Sequence, residues 1–174
     1  TSSSTYPNIM VLRYLKESGK VNPAIEKRAL GLIETGYKRL IGFETKENGF
    51  EWFGRTPPHE ALTAYGLLEF TDMKGFVSVD EKMLERTRKF LLGRRNGRGG
   101  FKIRADGLDQ FASVPGKIAD IYIVYALTRS GLGKEIKEEY KAAVQQATKS
   151  NDAYQLAMMA LAATAVTVYT AYIG

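Results

Sequence analysis

Apolar residues recur along this chain at helical rather than strand spacing, and the helices they predict are of two kinds. Over residues 22–41, Ile25, Ala29, Leu32, Ile33, Gly36 and Leu40 form one stripe, with Glu26, Lys27, Arg28, Glu34 and Lys38 opposite. Met83, Leu84, Thr87, Phe90 and Leu91 repeat that pattern, as do Ile136, Tyr140, Ala143, Val144 and Ala147. These three segments read as amphipathic helices with one buried face. Between them lie segments apolar nearly all round: Ala61 to Leu68, Ile118 to Leu127, and Leu156 to Val168. Helices of that kind need cover on every side, so they are expected to form an inner layer behind the amphipathic outer ones.

Punctuation between the segments supports the division. Pro7, read as a first-turn proline, opens a helix over residues 8–16 that Gly19 stops. Asn22 followed by Pro23 gives an N-cap and a proline at the first helical position. His59 to Met73 follows, and Ser78-x-x-Glu81 reads as a capping box for a helix closing at Gly93. Residues 117–129 and 134–149 make the next two helices, and Asp152 begins the last. Seven helices with little competing strand pattern define an all-α chain.

The outer helices start near residues 22, 80 and 133, and Gly49-Phe50 and Gly100-Phe101 each precede an inner helix. Successive αα-hairpins of about 50 residues, inner then outer, are the mark of an α/α toroid, the terpenoid cyclase/prenyltransferase-like ring. Closing such a ring takes about six pairs. This chain supplies about three and a half, so residues 1–174 are expected to form one domain that is a partial ring.

Composition narrows the chemistry. The 174 residues are 44% hydrophobic and 25% charged, ample for a folded core. With no cysteine and a single histidine, His59, there is no thiol nucleophile and no Cys/His metal set; no cofactor is expected. The charge is +6, and eight basic residues with no acid lie between Arg86 and Arg104. Arg98-Gly99-Gly100-Phe101 is weakly similar to RNA-binding RGG segments. Aromatics are not interleaved through the stripe, however, and cations suit a helix C-terminus, so no nucleic-acid partner is expected. The run from Ala153 to Gly174 carries no charge, yet its tyrosine, glutamine and threonines fit a buried helix better than a membrane span. Residues 1–5 have neither the basic nor the apolar region of a signal peptide, and a non-Met start suggests a piece of something longer.

Two strings carry a resemblance. Thr1-Ser-Ser-Ser-Thr-Tyr-Pro-Asn8, continuing Ile-Met-Val-Leu-Arg-Tyr-Leu, is similar to the segment directly after the thioester motif in bacterial-type alpha-2-macroglobulin family proteins. Gly49-Phe-Glu-Trp-Phe-Gly54 and His59-Glu-Ala-Leu-Thr-Ala-Tyr-Gly-Leu-Leu-Glu-Phe70 resemble the thioester domain of the same family. The likeness runs from Thr1 to about Ala160 and fades beyond Ala162. It implies an α/α toroid, in agreement with the alternation of faces.

It also implies a trap rather than a turnover enzyme. In this family a Cys-x-Glu-Gln motif forms an internal thioester, an acyl donor kept from water until a conformational change exposes it to nucleophiles on a target protease. The motif would lie immediately before Thr1, so this chain holds no catalytic residue. Tyr6, Asn8, His59 and Asp109 are the residues the resemblance would place near the thioester. Asp109 falls near the place where some complement factors carry a histidine that redirects the reaction to hydroxyls, which implies direct reaction with amines. The implied partners are target proteases and the other domains of a parent protein, outside the cell or in the periplasm.

Other readings stay open at this point. Trp52, Phe53, Tyr6 and Tyr65 could shield a thioester, or belong to the core as flanking aromatics usually do. Glu44, Glu47, Glu51, Glu60, Asp106 and Asp109 fall at loop positions on one rim. They are expected to be solvated charges, although a carbohydrate-processing toroid would use two of them as acid and base. A basic helical-repeat binding module is the remaining alternative.

Overall fold

The computed structural model describes residues 2–104 and 116–173. Among them are seven α-helices: α1 (Ser2–Ser18), α2 (Pro23–Leu40), α3 (Glu60–Met73), α4 (Glu81–Gly93), α5 (Gly116–Leu127), α6 (Lys137–Ser150) and α7 (Ala153–Ile173). The only β-pairing among the described residues is two isolated antiparallel bridges, Glu44 with Phe50 and Arg95 with Phe101.

The packing order reproduces the alternation read from the sequence. α3 packs on α1 and α5, and α5 packs on α7, so α1, α3, α5 and α7 succeed one another along one layer. α2 packs on α1 and α3, α4 on α3, and α6 on α5 and α7, forming the other layer. Ten residues of α3 are buried, and α5 buries Ala119, Ile121, Ile123, Val124, Ala126 and Leu127. The outer helices turn only Ala29, Ile33 and Gly36, or Met83, Leu84, Thr87 and Leu91, into the core. Such alternation is the architecture of an α/α toroid.

Several sequence expectations are corrected. α1 begins at Ser2, so Pro7 sits inside the helix rather than opening it. Because Pro7 lies one turn in, its missing N–H removes only an early bond of the helical ladder. The cap of α4 is Asp80, whose carboxylate accepts from the Lys82 N–H at 2.9 Å, so Ser78 does not form the capping box. Tyr37 Oη accepts the Asp80 N–H at 2.9 Å and fixes that residue against α2. α6 starts three residues late because Gly131, at φ 94°, ends a π-turn over Thr128–Leu132 and the chain turns before Lys137.

Two predicted stripes are also narrower than expected. Ile25 and Leu32 on α2, and Val144 on α6, face solvent. α7 is not enclosed: Gln155, Met158, Met159 and Ala162 are buried, whereas Tyr154, Leu156 and Leu161 are exposed. Among the described residues it packs mainly toward α5, α6 and the π-turn, so the apolar composition of its described part exceeds its burial. No described helix is long and apolar enough to cross a membrane.

Two contacts seat α1. Gly36 on α2 lets Thr5 approach so closely that a Cβ at residue 36 would fall 2.1 Å from Thr5 Oγ1. Further along, buried Asp72 of α3 accepts from the Tyr6 hydroxyl at 3.1 Å and pairs with Arg13 at 3.0 Å and Arg129 at 2.7 Å. One carboxylate therefore ties α1, α3 and the turn after α5.

Each Gly-Phe step forms the returning arm of a small hairpin docked on the next inner helix. The Phe50 N–H donates to Thr63 Oγ1 on α3 at 2.8 Å, and the Phe101 N–H donates to Asp120 Oδ1 on α5 at 2.8 Å. Both phenylalanines are buried. The sequence repeat is thus a structural one: outer helix, hairpin, inner helix.

Candidate functional site

The first hairpin, the end of α2 and one side of α3 enclose a cavity of about 530 Å³ at the head of α1. Ser2 and Ser3 line one end of it. Phe43, Phe50, Trp52, Tyr65 and Phe70 form the walls, with Leu40, Leu62 and Gly66 between them. Phe50 and Phe70 stack at 5.4 Å between centroids, and Tyr37 meets the other side of Phe70 edge-on at 5.8 Å. These rings are held by two helices and the hairpin, so the walls are preformed.

One ionisable group of the lining is buried: Glu69, 1% exposed. α3 buries three carboxylates in all, an unusual number for an inner helix. Glu60 is satisfied by Arg94 Nε at 2.7 Å and by the Arg104 N–H at 3.0 Å, and Asp72 by Tyr6, Arg13 and Arg129. Neither oxygen of Glu69 has a hydrogen-bond partner. Burial pushes the Glu69 carboxyl above its ordinary pKa, and the nearby Ser2 hydroxyl offsets this only in part. Burial also raises the neighbouring Tyr65 phenol, and the Glu69 charge adds to that shift.

The residues singled out from the sequence do not converge on this cavity. Tyr6 lies beside Asp72; burial, then the Asp72 carboxylate, raises its pKa. The Asn8 side chain donates to the Ser4 carbonyl of its own helix at 2.7 Å. His59 is the N-cap of α3, its Nδ1 accepting the Leu62 N–H at 3.3 Å while Nε2 is buried without a partner. Asp109 and Asp106 lie outside the described residues. Of the aromatics, Trp52 and Tyr65 line the cavity, whereas Phe53 is 66% exposed and belongs to neither core nor cavity. Glu69 escaped the sequence reading, although a carboxylate in a segment apolar nearly all round was a visible signal.

Among the described rim carboxylates, Glu44, Glu51 and Glu60 are committed to structure, whereas Glu47 is exposed as expected. Glu44 pairs with Arg86, with Oε2 2.7 Å from Nη2, and this bond raises the Arg86 pKa. Glu47 lies 3.7 Å from Arg104. Glu51 accepts the N–H groups of Phe53 and Arg55 at 2.8 and 3.1 Å. Part of the basic stripe is paired: Arg88 and Lys89 with Glu81 and Glu85, Arg94 with Glu60, while Arg95 reaches the Glu135 carbonyl and Arg98 and Lys102 are exposed. No cluster of metal-ligating side chains occurs among the described residues.

An all-helical arrangement of inner and outer helices is the architecture that the resembling strings implied. The model of the A-macroglobulin TED domain matches residues 1–173, past the point where the resemblance seemed to fade, and the chain belongs to that family.

Proposed function

We propose that this chain is part of the thioester domain of an alpha-2-macroglobulin-like protein that traps proteases by covalent attachment. The reading is that of a trap and not of a turnover enzyme. Its thioester cysteine and glutamine would stand immediately ahead of Thr1, and the protein would act outside the cell or in the periplasm. The observation that supports this most is the aromatic cavity at the head of α1, lined by Ser2 and Ser3.

An internal thioester supplies a stored acyl group, which must be kept from water until a nucleophile on the target arrives. The residues of this chain suit that task. Phe43, Phe50, Trp52, Tyr65 and Phe70 give the cavity the apolar walls from which an enclosed acyl donor could be kept from water. Thr5 against Gly36, and Tyr6 and Arg13 at Asp72, hold α1 so that its head stays at the cavity mouth. The other helices of the ring, and further domains of the parent protein, would complete the enclosure.

His59 is the only histidine and is engaged as a helix cap, which supports direct reaction with amines in preference to hydroxyls. The test is made on the parent protein. Methylamine should add its own mass once and expose one thiol, whereas glycerol should couple far more slowly. An upstream sequence without Cys-x-Glu-Gln, or no thiol on amine treatment, would overturn the trap; equal coupling of glycerol would overturn the amine preference alone.

A further inference from the structure

Of the three carboxylates that α3 buries, two are neutralised by arginines and one is not. An isolated carboxylate carries a large desolvation cost unless a cation joins it. Glu69 is 1% exposed, has no hydrogen-bond partner on either oxygen, and lines a cavity of about 530 Å³. That volume is within the range of about 300–1,000 Å³ usual for small-ligand sites. The group is therefore a buried acceptor, influenced by the Ser2 hydroxyl and the amino-terminal charge but not ion-paired to an arginine, in a space able to admit a donor.

The walls limit which cation fits. Tyr65, Phe50, Phe70 and Trp52 present aromatic surface, which attracts an organic cation through the ring quadrupoles and accepts an alkyl stem by apolar contact. Of the two carboxylates in the lining, Glu51 already accepts the Phe53 and Arg55 N–H groups, so with Glu69 a bare metal ion would find fewer than the three side-chain ligands of a metal site. A guanidinium brings five donors in a rigid fork, and with Glu51 engaged by backbone N–H groups the Glu69 carboxylate leaves most of them unmet. A primary ammonium brings three donors, which the two Glu69 oxygens and the Ser2 hydroxyl at the cavity end could receive.

We infer that the cavity at the head of α1 is a binding subsite for a primary alkylammonium group, such as the end of a lysine side chain, with Glu69 as its anionic anchor. The inference rests on the trap reading for its role: the subsite would bring the amine of the target to the head of α1. Binding itself is a property of this chain and needs no thioester.

Trp52 is the only tryptophan and lies in the cavity wall, so its emission reads occupancy directly. n-Butylammonium chloride titrated into the chain should change that emission saturably, with a midpoint in the millimolar range. 1-Butanol, and potassium chloride at matched ionic strength, should produce no saturable change over the same range. Glu69→Gln, which keeps shape and removes charge, should weaken butylammonium binding at least tenfold. Should that variant fail to fold by circular dichroism, Glu69→Asp retracts the charge by one methylene and should weaken binding several-fold.

No saturable response to butylammonium, an equal midpoint for butanol, or unchanged affinity in the folded variant would overturn the subsite. Butylguanidinium binding as tightly would overturn the assignment to primary amines. An amine-releasable thiol in the parent protein without ammonium binding here removes the subsite and leaves the trap standing; ammonium binding without a thioester does the reverse.

Discussion

The two Gly-Phe hairpins have the same backbone plan and rest on chemically different footings. In the first, Thr45 N–H donates to the Gly49 carbonyl and Phe50 N–H to the Thr63 hydroxyl. In the second, Asn96 N–H donates to the Gly100 carbonyl and Phe101 N–H to the Asp120 carboxylate. The Thr63 hydroxyl also donates to the His59 carbonyl at 2.8 Å, so it is satisfied in both directions without charge. Asp120 is charged, and burial raises its pKa despite the Phe101 N–H. The first hairpin walls the aromatic cavity and has a neutral, closely packed anchor. The second sits at the other end of the basic stripe and has a titratable one. A repeat can therefore conserve its geometry while its chemistry diverges wherever one copy borders a site.

Glycine replacement gives the largest expected contrast. A Cβ at Gly49 would lie 2.6 Å from Pro58 Cβ and 3.0 Å from both Phe90 Cε1 and Thr63 Oγ1, all in rigid surroundings. Gly49→Ala should cost about 2–3 kcal/mol in urea unfolding, the range of core overpacking. At Gly100 the closest atom is Asp120 Oδ2 at 2.7 Å, the end of a side chain that can rotate away. Gly100→Ala should cost about 1–2 kcal/mol by the same reasoning. A Gly100 variant as damaged as the Gly49 one would break the contrast between a packed and a yielding footing.

The anchors come next in size. Thr63→Val leaves the buried Phe50 N–H without an acceptor and should cost about 1–3 kcal/mol. Asp120→Asn keeps an acceptor for the Phe101 N–H and removes a disfavoured charge, so at pH 7 it should be as stable as the native chain or slightly more so. A destabilised Asn variant would mean that the charge itself supports the second hairpin.

The smallest effect is a pH dependence confined to the second hairpin. The folded pKa of Asp120 is raised above its unfolded value, so the folded state binds the proton more tightly. Its stabilising contribution is complete below the unfolded value and is lost as pH rises through the folded one. Any stability advantage of Asp120→Asn should accordingly shrink as the pH falls from 7 toward 4, while the difference between Thr63→Val and the native chain should stay flat. Denaturant midpoints of the three proteins across that range decide it; parallel curves would remove the distinction.

The ring-like arc was legible in the sequence because hydrophobic period and turn residues report directly on which face a helix buries. The Asn22-Pro23 start, the stripe Met83, Leu84, Thr87 and Leu91, and the Gly-Phe repeat all appear where the pattern put them. Boundaries depending on competition between neighbours were not legible. Ser78 and Asp80 are both good caps, and only the Tyr37 hydroxyl above the Asp80 N–H decides between them. The cavity was legible only in its aromatics. The fates of Glu60, Glu69 and Asp72 depend on which arginines arrive from 13, 94 and 129, and spacing within one helix carries no record of that. Exposure of α7 was hidden for a related reason: composition states what a helix can bury, not what is present to cover it.

The seating of α1 has a mechanical consequence. Thr5 is pressed into the Gly36 notch and Asp72 grips the next two turns, so the helix behaves as a beam clamped along its middle with a short overhang. From Thr5 to Ser2 that overhang is about 4.5 Å long at the helical rise of 1.5 Å per residue. A cantilever so short deflects little under load. A pull on the chain ahead of Ser2 would load the Thr5–Gly36 notch first, and Asp72, holding Tyr6 and Arg13 behind it, is the pin that resists rotation of the rest of the helix.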